Sequence, residues 1–240
     1  MNDTWPLLRV EGLCRRFENG SVQALEQVSF QAEAGEVIAL TGPSGCGKTT
    51  LLSILGLLDR PDAGRVWIGG QELARVKRPS EFRARHIGFV FQFHHLVPTM
   101  TLEENVAAPM IALGVGRAQR RKRALAMLQQ VGLAARAGFL QANVSGGERQ
   151  RAAVARALVN RPGVILADEP TGNLDSRNGK AVMALLSAQA REAGALVVVA
   201  THNPEIAAAA TRRIALLDGR MPDQRVAHEM PASPGQLEFA

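Results

Sequence analysis

Short runs of Val, Ile, Leu and Phe alternate with stretches whose apolar positions recur at helical spacing, a pattern that predicts an α/β fold with a largely parallel, helix-covered sheet. Buried strands are expected over 36–40, Ile87–Phe91, Val164–Ala167 and Leu196–Ala200, where nearly every residue is apolar, as burial on both faces requires. From Leu7 to Ala32 the pattern differs. Brief alternating segments, Leu8–Val10, Val22–Ala24 and Val28–Ala32, surround the turn dipeptide Asn19-Gly20 without helices between them, so a small antiparallel sheet is expected there.

Between about Phe93 and Asn160 the strand signal disappears. Thr101–Ala108 opens on a Thr101/Glu104 capping box, Arg117–Val131 has helical spacing, and Ser145–Val159 opens on a second box, Ser145 and Glu148. A helical subdomain inserted in the core is expected. Asp218-Gly219, after Ile214–Leu217, reads as a hairpin turn, and beyond Pro222 periodicity is lost. The expected organisation is one domain over 7–225, with the core at 7–92 and 161–225, the helical part at about 93–160 and a loose tail at 226–240.

With 240 residues, 46% hydrophobic and 21% charged, the chain has material for one good core plus a small subdomain, which excludes disordered and fibrous classes. Lys and Arg total 28 against 22 acidic residues, an excess of +6 that suits anionic partners without choosing among them. The densest positive run, Arg117, Arg120, Arg121, Lys122 and Arg123, suits a solvated helix face better than a headgroup-binding patch. Cys14 and Cys46 cannot form a disulfide framework, Met1–Pro6 lacks the pattern of a secretory signal, and no stretch approaches the ~20 apolar residues of a membrane helix. A cytoplasmic protein is expected.

Candidate chemistry begins at Gly42-Pro43-Ser44-Gly45-Cys46-Gly47-Lys48-Thr49, which follows a strand and opens a helix, the setting of a phosphate-binding loop. Glycines let backbone N–H groups converge on phosphate oxygens, Lys48 reaches the β- and γ-phosphates, and the Thr49 hydroxyl suits Mg²⁺. Val164–Ala167 ends in Asp168-Glu169, at the strand end where parallel-sheet proteins bind ligands. There Asp168 suits the Mg²⁺ shell and Glu169 the attacking water. Gln92 and His202 follow two further strands; Gln92 is a candidate for the metal and His202 for a terminal phosphate or the water. Ser145-Gly146-Gly147-Glu148 is both a helix cap and an anion site, and a second phosphate site within one small subunit has a role only if two copies pair.

In this order the segments resemble the ATP-binding cassette (ABC) ATPases over essentially Leu7–Arg220: Walker A at Gly42–Thr49, Q-loop Gln92, signature 144–148, Walker B ending Asp168-Glu169, D-loop Asn173-Leu174-Asp175 and switch His202. The resemblance implies a P-loop NTPase with a RecA-like core, nucleotide contacts through Thr50, ATP and Mg²⁺ as cofactors, and a head-to-tail dimer with two nucleotides in the seam. Catalytic roles fall on Glu169, His202 and Lys48, and metal roles on Thr49, Gln92 and Asp168. Phe17 stands where the family usually has a Tyr stacked on adenine, and it keeps the ring face without the hydroxyl. Val144, Glu148 and Cys46 replace commoner Leu, Gln and Ser, and none of these changes removes a catalytic group.

Phe91-Gln92-Phe93-His94-His95-Leu96-Val97-Pro98, with Glu104-Asn105-Val106 and the motifs around Ser145 and Asp168, is most similar to the LolD/MacB branch and within it to lipoprotein-releasing ATPases. That implies a peripheral subunit on the cytoplasmic face of a bacterial inner membrane, joined to LolC/LolE-like permeases and binding no nucleic acid. MacB-like efflux and FtsE-like signalling through cell-wall hydrolases stay open as alternatives.

Overall fold

The computed structural model describes residues 7–222 apart from 173 and 175, so Met1–Pro6, Asn173, Asp175 and the tail at 226–240 lie outside the described residues. Five strands form a parallel sheet: β3 (Val37–Thr41), β6 (Ile87–Val90), β7 (Val164–Asp168), β8 (Leu196–Ala200) and β9 (Arg212–Ala215), in the order β6-β7-β8-β3-β9. Both faces are covered, as the uninterrupted apolar runs require. Ile38, Leu40, Leu166 and Val198 point into one core, and Val37, Ile165, Val197 and Val199 into a second one on the opposite face.

The first core lies between this sheet, helix α1 (Lys48–Leu55) and an antiparallel sheet of β1 (Leu8–Phe17), β2 (Val22–Ala32), β4 (Ala63–Ile68) and β5 (Gln71–Glu72), ordered β2-β1-β4-β5. The brief segments expected before Ala32 are in fact two long strands, paired from Leu8↔Ala32 to Phe17↔Val22. Register shifts between Val10 and Leu13, and again around Arg15, move side chains from one face to the other and break the two-residue alternation. β4 was not foreseen. It opens on three exposed residues, Ala63, Gly64 and Arg65, and at Gly64 (φ 90°) a Cβ would lie 2.5 Å from the Gly12 carbonyl, so close backbone approach displaces the apolar signal.

Helix α2 (Pro79–His86) precedes β6, and the stretch that follows is helical as expected: α3 (Leu102–Ala107), α4 (Arg117–Gln130) and α5 (Gly146–Leu158). Both capping boxes are formed, by Thr101 with Glu104 and by Ser145 with Glu148. α3 and α4 enclose a third core against α5, with Leu102, Leu128 and Ala152 in it. α5 belongs to two cores, since Val154 and Leu158 pack under the sheet while Ala155 and Val159 join the helical lobe. Helices α6 (Ser176–Ala193) and α7 (Pro204–Ala209) complete the cover, and Asp218-Gly219 makes the expected turn, both residues at positive φ between bonded Leu217 and Arg220.

At Gly88 on β6 a Cβ would meet the Ala157 carbonyl of α5 at 2.5 Å. Gly88→Ala is therefore expected to cost about 1–3 kcal/mol by overpacking, read from the urea midpoint of the purified protein.

Candidate nucleotide site

The strand registers put the chemistry on one edge. Leu40 and Asp168 both pair with Ala200, so the loop after β3, the carboxylates after β7 and the Thr201-His202 segment after β8 emerge side by side. In the first of these loops Gly42, Gly45 and Gly47 all have positive φ. At Gly42 a Cβ would meet the Leu216 carbonyl at 2.1 Å, and at Gly47 the Ala24 carbonyl at 2.3 Å. Only glycine fits there. Pro43, Ser44 and Gly45 are exposed, Cys46 is buried, and the Lys48 ammonium donates to the carbonyls of Gly42 (2.8 Å) and Pro43 (2.9 Å).

The Thr49 hydroxyl donates to Asp168 Oδ2 at 2.9 Å, which joins two candidate metal ligands across 119 residues. Burial pushes the Asp168 carboxyl above its usual range, with the neighbouring Glu169 charge adding to the effect and the Thr49 hydroxyl opposing it. Glu169 has φ 43° and donates its N–H to the Ala200 carbonyl at 2.9 Å. The His202 N–H donates to Glu169 Oε1 at 3.1 Å, His202 Nδ1 lies 2.7 Å from the same oxygen, and the Thr201 hydroxyl is 3.4 Å from Oε2. Glu169 is thus held from the β8 side while Asp168 is held from the α1 side.

Gln92 follows β6, whose Val90 pairs with Ala167, and its Nε2 would be 3.6 Å from a Cβ at Gly172 in the turn after Glu169. Phe17 ends β1 opposite Val22, a short way along the hairpin from Ala24, and the Arg15 guanidinium lies 4.6 Å from its ring centroid. A cation-π partner at that ring was not expected.

Ser145 is exposed at the start of α5, its hydroxyl accepting from the Glu148 N–H at 3.2 Å while Glu148 Oε2 accepts from the Ser145 N–H at 2.8 Å. That backbone N–H holds the Glu148 carboxyl below its usual range. A Cβ at Gly147 would touch the Asn178 side chain at 3.0 Å, which sets this corner against α6. No hydrogen bond among the described residues joins Ser145, Gly146 or Gly147 to the loop at Gly42–Thr50.

Sequence reasoning did not single out Thr201, Gln150 or Arg156. Thr201 is fully buried yet polar, and besides facing Glu169 it accepts from the Asn203 N–H at 3.1 Å. Gln150, also buried, donates to the Pro170 carbonyl at 2.8 Å, one residue from Glu169. A polar residue on an otherwise apolar helix face was the available signal for Gln150 and Arg156.

Comparison with known proteins identifies the family. A family model for ABC transporters matches residues 25–172. The lipoprotein-releasing system ATP-binding protein LolD of Shewanella sp. (strain MR-4) is 44% identical over 217 residues, which is 89% of this chain and 94% of that protein. Its counterpart in Bordetella pertussis (strain Tohama I) is 46% identical over 224 residues, 92% and 97% of the two chains. Among solved structures, the dimeric post-hydrolysis state of the ATP-binding cassette MJ0796, bound to ADP and Pi, superposes with a TM-score of 0.83 at 38% identity, covering 90% of this chain and 97% of that one. This chain belongs to the ABC transporter family and is an ATP hydrolase of that type.

Proposed function

We propose that the chain is the ATP-hydrolysing subunit of an inner-membrane complex that releases lipoproteins towards the outer membrane, with 7–225 acting as one cassette. Relatives bearing that function, 44% and 46% identical over about nine-tenths of the chain, support the cargo. The chemistry rests on one observation: Lys48, Thr49, Asp168, Glu169 and His202 gather at a single sheet edge.

In this reading the triphosphate lies along Gly42–Thr50 and Lys48 exchanges the carbonyls of Gly42 and Pro43 for phosphate oxygens. Phe17 stacks on the adenine. Thr49, Asp168 and Gln92 offer a hydroxyl, a carboxylate and an amide oxygen, hard donors that fit Mg²⁺, whose bound charge would neutralise the β- and γ-phosphates. Glu169 takes the proton of the attacking water. The N–H of His202 keeps the carboxylate aimed, and the His202 ring and Thr201 hydroxyl flank it.

The Ser145-Gly146-Gly147 corner, at which Ser145 is exposed, is proposed to close over the γ-phosphate of a second copy, so that two nucleotides sit in the seam. ATP then drives the cycle through its greater affinity for the closed dimer, and inverting a 1:99 population takes about 5.5 kcal/mol. The LolC/LolE-like permease is proposed to seat in the groove of about 330 Å³ between the core and the helical lobe, lined by Leu58, Phe89, Phe91, His95 and Pro109. This would hold the chain at the cytoplasmic face of the inner membrane; no helix among the described residues is long and apolar enough to cross a membrane.

Three variants test the assignment. Glu169→Gln keeps an oxygen to accept from His202 but removes the base, so turnover is expected to fall on the order of 10²–10⁴-fold while ATP binding persists and a dimer accumulates on size exclusion. Lys48→Ala should weaken binding of a fluorescent ATP analogue, and unchanged affinity would remove the phosphate-loop assignment. Ser145→Arg should leave that affinity intact and abolish the ATP-dependent dimer. Purification with the permease from solubilised membranes tests the cargo, and recovery of a cell-division protein in its place would point to signalling.

A further inference from the structure

The loop after β6 passes through two consecutive residues in the left-handed region, His94 with φ 63° and His95 with φ 46°. Neither is glycine, and backbone of this kind persists where its surroundings impose it. Inside the loop the His94 N–H reaches the Phe91 carbonyl at 3.1 Å and the His95 N–H the Phe93 carbonyl at 2.6 Å. His94 Nε2 is buried with no hydrogen-bond partner among the described residues. The His95 ring packs on Phe91 at 4.8 Å between centroids, whereas His94 Nε2 gains no hydrogen bond from the conformation.

Asn105 on α3 holds the far end of the loop at Val97, and what grips the two histidines from outside is Arg156 on α5. Its Nη2 donates to the His94 carbonyl at 2.6 Å and its Nη1 to the His95 carbonyl at 2.5 Å, a planar fork matched to two adjacent acceptors. Burial pulls the basicity of Arg156 down and no carboxylate raises it, so the two carbonyl dipoles offset its desolvation. The same helix carries Gln150 on the Pro170 carbonyl beside Glu169, and begins at Ser145 eleven residues away, about 16 Å along the axis. α5 is packed in two cores at once.

We infer that Arg156 is a positioning residue for hydrolysis: by fixing the carbonyls of His94 and His95 it sets where Gln92 stands relative to Glu169, and it ties that placement to the helix that presents Ser145 to the second copy. The inference rests on reading Gln92 as part of the nucleotide site.

The test uses the full-length protein, with steady-state ATP hydrolysis and binding of a fluorescent ATP analogue measured side by side. Gln92→Ala should lower kcat; unchanged turnover there would remove the reading of Gln92 and the inference with it. Arg156→Met, which keeps an apolar stem, should lower kcat tenfold to a hundredfold, the scale of a misplaced catalytic group, with analogue affinity held within about twofold. Arg156→Lys keeps the charge but not the fork and should fall between; it carries the test if the Met variant is insoluble.

Glycine adopts positive φ freely, so in a His94→Gly/His95→Gly background the loop no longer needs its clamp. There, adding Arg156→Met should cost less than about threefold in kcat. If Gln92→Ala impairs turnover but Arg156→Met does not, the inference is overturned while the reading of Gln92 survives. If kcat and analogue affinity fall together, or the glycine pair leaves the loss undiminished, Arg156 is structural and the inference is likewise overturned.

Discussion

The whole arrangement depends on backbone meeting backbone where no side chain fits. The phosphate-loop candidate is wedged between β2 and the turn after β9: Gly42 lies against the Leu216 carbonyl, Gly47 against that of Ala24, and Gly219 donates to the Cys46 carbonyl at 3.1 Å while itself packing on Ala24. A methyl group at Gly42 or Gly47 would stand 2.1 or 2.3 Å from a carbonyl oxygen, a separation no rotamer change relieves. These contacts set the loop against both the antiparallel sheet and the edge of the parallel one. The orientation of Lys48 and of the first turn of α1 follows from them.

A second constraint is the sharing of α5. A helix that packs on one core can shift with its own subdomain, whereas α5 has Val154 and Leu158 under the sheet and Ala152, Ala155 and Val159 in the helical lobe. Three of its polar side chains donate to carbonyls of neighbouring loops. Arg149 takes those of Gln141 and Val144, Gln150 that of Pro170, and Arg156 those of His94 and His95. A packed helix fixed at so many points transmits displacement instead of absorbing it.

What the sequence made legible followed local physics. Strands buried on both faces announce themselves as apolar runs, and Val164–Asp168 and Leu196–Ala200 lie within a residue of their expected limits. Capping boxes depend on four consecutive residues, and both formed. The antiparallel sheet was read only in pieces, because its bulges near Leu13 and Arg15 change which face is buried and Gly64 contributes backbone where a pattern search looks for side chains. In the site, motif order located Lys48, Thr49, Asp168, Glu169 and His202. It did not locate Thr201 or Arg156, whose importance lies in partners 32 and about 61 residues away that no spacing rule joins.

The separation between Ser145 and its own phosphate loop gives these parts a common logic. One subunit carries the groups proposed to orient water and to hold the metal at the sheet edge, and apart from them, with no hydrogen bond between the two among the described residues, a capped helix N-terminus at which Ser145 is exposed. Within the subunit the two are linked through α5, which touches the turn after Glu169 through Gln150 and the loop after Gln92 through Arg156. An anion seated on that N-terminus from another copy would pull on a helix already fastened to both loops. In the proposed dimer, closure on one nucleotide would then be felt at the groups proposed to orient water on the other, because α5 is bonded to the loops beside them.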